Sequence, residues 1–303
     1  MIEFFERVYF NPKGYDFLIS WLLLPLSVIY GLVGVFKSTL IKPKNYGIKI
    51  ISVGNLSVGG SGKTPFAIEL INFFENKSVK ICYISRGYGR KSSGLVVVKD
   101  GGKILTDVST SGDEAMLVAK SCNCNVIVSE DRVKAIKLAK SKGAELIILD
   151  DAFSKVGIEK FDILLEPKEY KNSFVLPSGP LREFAFAKKR ANLILKDGQD
   201  FRREVTIDNP SDKMLLVTAI ANPKRLDRYL PKEVKDKYIL KDHSYFNLDK
   251  IVKRMDAINA KSILVTQKDL VKLEQFNLPI SIMRLRLKIS KNIVDKIEEY
   301  YEK

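Results

Sequence analysis

The sequence predicts an α/β protein: a mostly parallel sheet with helices on both faces, a second, smaller α/β domain, and an N-terminal hydrophobic helix. Three observations predict it. Short apolar runs rich in β-branched residues alternate with helical stretches from residue 48 onward, the pattern of a sheet covered on both sides. A polar break around Asp197 to Asp212, holding the turn signal Asn209-Pro210, precedes a further set of strands. Residues Phe17 to Phe36 carry no charge over 20 positions, about the length that crosses a bilayer as a helix. The expected division is 1–45 for the hydrophobic region, 46–205 for the larger domain and 206–303 for the smaller one.

Basic residues flank the apolar segment on both sides, Arg7 and Lys13 before it and Lys37, Lys42 and Lys44 after it, so charge sets no orientation. It starts late and lacks a small-x-small cleavage pattern, which argues against a signal peptide. Pro25, Gly31 and Gly34 weaken it as a straight helix. The expectation is membrane association, with a kinked interfacial helix and a true span both open, and a buried core helix as the plainer reading.

Along the larger domain, Ile48 to Val53 reads as a buried strand and Thr64 to Phe74 as a helix after a Gly-rich turn. Lys80 to Ser85 is a strand, and Leu95 to Leu105 a hairpin turning at Gly101-Gly102. Asp113 to Lys120 is helical, Asn125 to Ser129 a strand, and Asp131 to Lys142 a helix. Glu145 to Asp151 is a buried strand ending in two carboxylates; Phe161 to Glu166 and Ala191 to Lys196 are further strands. In the smaller domain, Lys213 to Ile220, Ser262 to Gln267 and Ser281 to Leu287 read as strands. Pro223 to Tyr229 and Ile293 to Tyr301 read as helices.

Hydrophobic residues at 46% and charged residues at 29% describe a globular chain and exclude disorder over most of it. A net charge of +15 suggests an anionic partner: nucleic acid, an anionic membrane face or a phosphorylated substrate, against a plain lysine-rich surface. Cys82, Cys122 and Cys124 are odd in number and form no Cys-x-x-Cys. With only one histidine in the chain, neither a disulfide framework nor a zinc site is indicated, and a reducing compartment fits.

Residues 57 to 64 read Ser57-Val58-Gly59-Gly60-Ser61-Gly62-Lys63-Thr64. The P-loop pattern is glycine, any four residues, then Gly-Lys-Ser/Thr; only Ser57 departs from it. Glycines let backbone N–H groups approach phosphate oxygens, and the helix N-terminus adds a favourable dipole. Lys63 neutralises the β- and γ-phosphates of ATP, and the Thr64 hydroxyl holds Mg²⁺. Asp150 and Asp151 at a strand tip form the Walker-B arrangement, with a turn or helix cap as the structural alternative. Asp113 opens a helix, where a first-turn acid is the commoner explanation. His243 follows Asp242 in the smaller domain and by itself is an ordinary exposed or structural histidine.

The motifs together resemble the tetraacyldisaccharide 4′-kinase family of the lipid A pathway. The matching stretches are Ile51 to Pro65, Ser85 to Gly94, Gly112 to Lys120, Ser129 to Ala135, Leu149 to Phe153, Leu176 to Glu183, Asp242 to Phe246 and Thr266 to Asp269, in the family's order. The resemblance implies an ATP-dependent, Mg²⁺-requiring lipid kinase. Its acceptor is the 4′-hydroxyl of a tetraacyldisaccharide 1-phosphate, a lipopolysaccharide precursor. It implies ATP contacts from Ser57, Gly59, Gly60, Ser61, Gly62, Lys63 and Thr64, with Thr64, Asp150, Asp151 and Glu183 near the metal. It further implies that Asp113 and His243 form the pair that activates the acceptor hydroxyl, with Lys63 as the third catalytic group, and that Arg86, Tyr88, Arg90 and Arg182 lie near the lipid disaccharide or the phosphates. The location implied is the cytoplasmic face of the inner membrane, peripheral or anchored by the N-terminal helix, with no nucleic acid and no obligate protein partner. One departure is clear: the family's usual DDGFQH is here Asp150-Asp151-Ala152-Phe153-Ser154-Lys155.

Two other classes compete. A partitioning-type membrane ATPase carries a lysine before the paired glycines, where this chain has Val58. A nucleic-acid-dependent NTPase is suggested by charge alone, with no recognition motif.

Overall fold

A computed structural model of the chain describes residues 7–10 and 12–303. Residues 1–6 and 11, part of the predicted 1–45 region, lie outside the described residues. In chain order the elements are α1 (Tyr15–Leu22), α2 (Leu24–Leu40), β1 (Lys49–Gly54), α3 (Lys63–Glu75), β2 (Ile81–Ser85), β3 (Val96–Asp100) and β4 (Lys103–Ile104). Next come α4 (Val108–Ser111), α5 (Asp113–Ser121), β5 (Asn125–Val128), α6 (Arg132–Ser141), β6 (Leu146–Asp150), β7 (Phe161–Glu166), β8 (Leu193–Lys196) and β9 (Phe201–Asp208). The last are β10 (Met214–Thr218), β11 (Val234–Ile239), α7 (Leu248–Ala257), β12 (Ser262–Thr266), α8 (Gln267–Leu273), β13 (Ile280–Ile289) and α9 (Lys291–Glu302). The predicted helix at Pro223–Tyr229 is a 3-10 turn, tighter than an α-helix because Pro223 starts it and few residues sustain it.

Contacts divide the chain into two compact units, each discontinuous in sequence. The first comprises Met1–Lys63, Ile136–Arg202 and Ile289–Lys303; the second comprises Thr64–Ala135 and Arg203–Lys288.

In the first unit, strands run in the order β6-β1-β7-β8, all parallel. β1 and β6 are apolar along almost their whole length and buried, as strands covered on both faces must be. α9 closes this unit: Tyr300 stacks on Phe161 at 4.6 Å and its hydroxyl donates to the Ile50 carbonyl at 3.1 Å.

The hydrophobic segment is two helices, bent by 53° at Leu23. Pro25 lies in the first turn of α2, where its missing N–H is harmless, so the chain restarts as a helix there. No single helix among the described residues is long and apolar enough to cross a membrane, although the bent pair together meets that test. The polarity of these helices is inverted. Asp16, Ser20 and Ser27 are buried, while Leu18, Trp21, Leu22, Ile29 and Phe36 are each more than half exposed. The buried groups are satisfied: Arg7 pairs with Asp16 at 2.9 Å, and Ser27 donates to the Ser178 hydroxyl at 2.7 Å.

In the second unit, one set of strands runs β4-β3-β5-β2. β3 is antiparallel to both neighbours and β2 parallel to β5. A separate five-stranded sheet has the order β11-β10-β12-β13-β9. Alternation along β10 fills cores on both faces, Leu215 and Val217 on one, Met214 and Leu216 on the other. The polar stretch expected to be a break around Asp197 to Asp212 is corrected: it contains β9. In β9 only Phe201 is fully buried, as suits the edge position, where one face is half-covered and Arg and Glu meet solvent.

Candidate active site

Of the residues predicted to bind phosphate, Ser57 to Lys63 lie in the first unit and Thr64 opens the second. β1 ends at Gly54, whose absent side chain matters: a Cβ there would sit 2.8 Å from Cβ of Phe153, just past the paired aspartates. The chain then crosses Asn55 to the Gly-rich turn, with Gly59 and Gly62 at φ +95° and +94°, conformations open to glycine. Residues 56–58 are pinned to the segment 180–182 by Val58 N–H to the Pro180 carbonyl at 2.8 Å and Arg182 N–H to the Leu56 carbonyl at 2.8 Å. Gly60 is exposed, Ser57 is buried, and Ser61 and Gly62 are half-buried.

Lys63 begins α3. Its ammonium donates to the Asn55 side-chain oxygen at 3.1 Å and lies 3.7 Å from Asp151. Asn55 in turn donates to the Ser57 carbonyl at 2.6 Å. Asn55 therefore fixes both ends of the loop, a role sequence reading misses, because nothing in the P-loop pattern requires it. Thr64 follows, buried in the first turn of α3.

Asp150 ends β6, buried, paired in register with Val53. Asp151 adopts φ +50°, tolerable for aspartate, and its N–H donates to the Val53 carbonyl at 2.9 Å. Arg182 donates through Nη1 to both Asp151 oxygens at 2.7 Å. Glu183 accepts from Arg190 at 2.7 Å, and that guanidinium also stacks over Phe153 at 4.9 Å. Among the described residues no three His, Cys, Asp or Glu side chains form a ready-made metal cage. In the first unit the carboxylates of Asp150, Asp151 and Glu183 are hard oxygen donors. That set suits Mg²⁺, which takes one or two protein carboxylates and completes its shell with phosphate and water.

The second unit holds the predicted acid–base pair. Gly112, at φ +84°, lets the chain turn into α5; a Cβ there would meet the Tyr88 carbonyl at 3.0 Å. Asp113 is the first residue of α5, 4% exposed. His243 Nδ1 lies 2.9 and 3.0 Å from its two oxygens. His243 has φ +62°, uncommon for any residue but glycine, and is held by its N–H to the Ala219 carbonyl at 3.1 Å. Tyr88 tilts against the imidazole at 4.8 Å. Burial pushes Asp113 upward, but the hydrogen bond from His243 and the charges of Lys268, His243 and Lys272 outweigh it, holding the carboxyl well below its ordinary range. Lys268 sits 3.2 Å from Asp242 and 3.7 Å from both Asp113 and Glu114. Burial lowers it, yet these three carboxylates raise it overall.

Thr266 is the N-cap of α8 and is tied to Asp269 in both directions. Thr266 accepts the Asp269 N–H at 3.2 Å and donates back to the carboxylate at 2.8 Å. Asp269 also accepts from the Thr218 hydroxyl at 2.7 Å and the Ala219 N–H at 3.0 Å. It thereby fixes the strand end whose carbonyl holds His243.

Of the residues expected near the lipid, Arg86 and Tyr88 are exposed. The Arg90 side chain is 2% exposed and donates to Glu130 and the Gly94 carbonyl, so it ties the loop that carries Tyr88.

Comparison with known proteins gives a consistent result. Residues 19–302 match the family described as LpxK, tetraacyldisaccharide-1-P 4′-kinase. The tetraacyldisaccharide 4′-kinase of Aliarcobacter butzleri (strain RM4018) is 46% identical over 297 residues, covering 95% of this chain and 93% of that one. The protein of the same name from Helicobacter pylori (strain ATCC 700392 / 26695) is 42% identical, covering 98% and 94%. A crystal structure of LpxK from Aquifex aeolicus in complex with ATP superposes with a TM-score of 0.78. It is 28% identical and covers 93% of this chain and 99% of that chain.

Proposed function

The chain belongs to the tetraacyldisaccharide-1-P 4′-kinase family, and from that premise we propose how its residues move the γ-phosphate of ATP to the 4′-hydroxyl of a tetraacyldisaccharide 1-phosphate. The observation that carries the reading is the Asp113–His243 pair, a buried carboxylate held ionised against an imidazole. Asp113 accepts the hydroxyl proton, and His243 fixes the carboxylate's position and charge.

Residues Ser57 to Thr64 bind the phosphates, with Lys63 neutralising charge on the transferred group. Thr64, Asp150, Asp151 and Glu183 would hold Mg²⁺, which, when bound, offsets charge on the β- and γ-phosphates. Arg182 and Lys63 neutralise Asp151 in the structure described above, so nucleotide and metal must compete for these partners.

The protein docks on the cytoplasmic face of the inner membrane through α1 and α2. Supporting this are their inverted polarity and the net charge of +15, which suits anionic lipid headgroups.

The test is transfer of label from γ-labelled ATP to a detergent-dispersed tetraacyldisaccharide 1-phosphate. Label in the lipid, lost without Mg²⁺, is expected. Label released only as free phosphate would favour a hydrolytic switch.

A further inference from the structure

Lys272 lies on α8, one turn beyond the Thr266 to Asp269 stretch and outside every motif the sequence analysis singled out, yet its ammonium reaches the acid–base pair. The side chains of Lys272 and Asp113 are each 3% exposed, and Nζ lies 3.2 Å from Asp113 Oδ2. The same Nζ donates to the Ser244 carbonyl at 3.1 Å. It also sits against the faces of Tyr245 and Phe246, 5.9 and 5.6 Å from the ring centroids. A lysine is seldom buried unless its charge is matched, because desolvation disfavours the ammonium. Here the match is one carboxylate oxygen, one carbonyl and two aromatic faces.

Those contacts reach both partners of the pair. Through Oδ2 the ammonium fixes the Asp113 carboxylate, and through the Ser244 carbonyl it fixes the backbone next to His243. His243 is in the left-handed conformation, φ +62°, which the surrounding contacts must hold. Lys272 also lines a small cavity with Gly89, Gly112, Asp113, His243 and Tyr245.

The geometry points to Lys272 as the positioning residue of the acid–base pair: a buried cation that sets the orientation of Asp113 and the backbone of His243 without itself contacting substrate. This rests on the reading of Asp113 and His243 given above. Charge around the carboxylate is mixed. Lys268 and Lys272 from α8 and His243 face it, while Glu114 and Asp242 pair with Lys268. Asp107 and Tyr245 complete the surroundings.

The test uses the full-length protein and the variants Lys272→Met, which keeps length without charge, and Lys272→Arg. For Lys272→Met, kcat should fall about 10- to 100-fold, as expected when reacting groups are displaced by an ångström or less, while the KM for ATP stays within about threefold. Its acid limb of kcat should move up, because Asp113 has lost a neighbouring cation. Lys272→Arg should recover part of the loss.

An activity-independent readout comes from the single histidine of the chain, whose ring NMR signals report on the pair alone. They should move in Lys272→Met at fixed pH. Unmoved ring signals would overturn the positioning role, whatever happens to kcat. Moved ring signals with unchanged kcat would uphold it and contradict the acceptor-activating reading of the pair.

Discussion

His243 Nδ1 is 2.9 Å from Asp113 Oδ1, although the two residues lie 130 positions apart in the chain. Neither is remarkable by itself in sequence, one a helix-start acid and the other a lone histidine. The fold joins them by placing α5 against α8 and by anchoring the loop after β10 through Asp269.

Asp113 gives the first prediction, on stability against pH. Its folded-state pKa is depressed, so its contribution to stability is present above the unfolded carboxylate value of about 3.9 and is lost as pH falls through the folded value. The stability gap between wild type and Asp113→Asn should be largest above about pH 5 and shrink steadily toward pH 2. Denaturant midpoints across that range measure it; a constant gap would mean that the carboxylate is not held ionised by its partners.

Asp269 gives a prediction about folding. It is fully buried and accepts from Thr218, Thr266 and Ala219. Asp269→Ala leaves those buried donors unpaired, although the N-cap bond from its own N–H to Thr266 remains, and should cost about 2–4 kcal/mol. Chemical denaturation reads this directly. A cost near zero would show that water or rearrangement replaces the carboxylate.

Lys63 should matter for phosphate, not for folding. Its ammonium is partly exposed, and its partners are Asn55 and, more distantly, Asp151. Lys63→Ala should lower kcat/KM for ATP by about 100-fold or more, while the melting temperature changes little. Asn55→Ala should produce a smaller loss in the same direction, since it frees the lysine and loosens the loop.

Trp21 is the only tryptophan in the chain and is 62% exposed on α1. If the α1–α2 surface docks on lipid, vesicles containing anionic phospholipid should shift Trp21 emission to the blue, and Leu18→Ser with Leu22→Ser should abolish the shift. Emission unchanged by vesicles would argue against docking through this surface.

Much of the parallel sheet was legible because its strands are short apolar runs with turn signals at both ends. β1, β2, β6 and β7 fall within a residue or two of their expected positions. The phosphate loop was legible because backbone geometry there needs glycine and little else fits. The edge strand β9 was not, since Arg203 occupies a half-buried position and breaks the apolar alternation. β11 and α7 were missed for a similar reason: Asp236 interrupts the inner face of one, and only Ile251 and Met255 are buried in the other. The bend at Leu23 was signalled by Pro25, which weakens a straight helix; its exact position, just ahead of the proline, was not. At the site, Asp113 and His243 came from family resemblance, not from spacing. Asn55, Arg190 and Lys272 carried no local signal, because their roles exist only through partners distant in sequence or unspecified by any motif.

The most direct test of the central claim is steady-state kinetics of Asp113→Ala and His243→Ala with saturating ATP and lipid acceptor. The account predicts kcat lowered by about 10²- to 10⁴-fold in each, with the KM for ATP within a few-fold of wild type. Full turnover in either variant would remove that residue from acceptor activation and contradict the account.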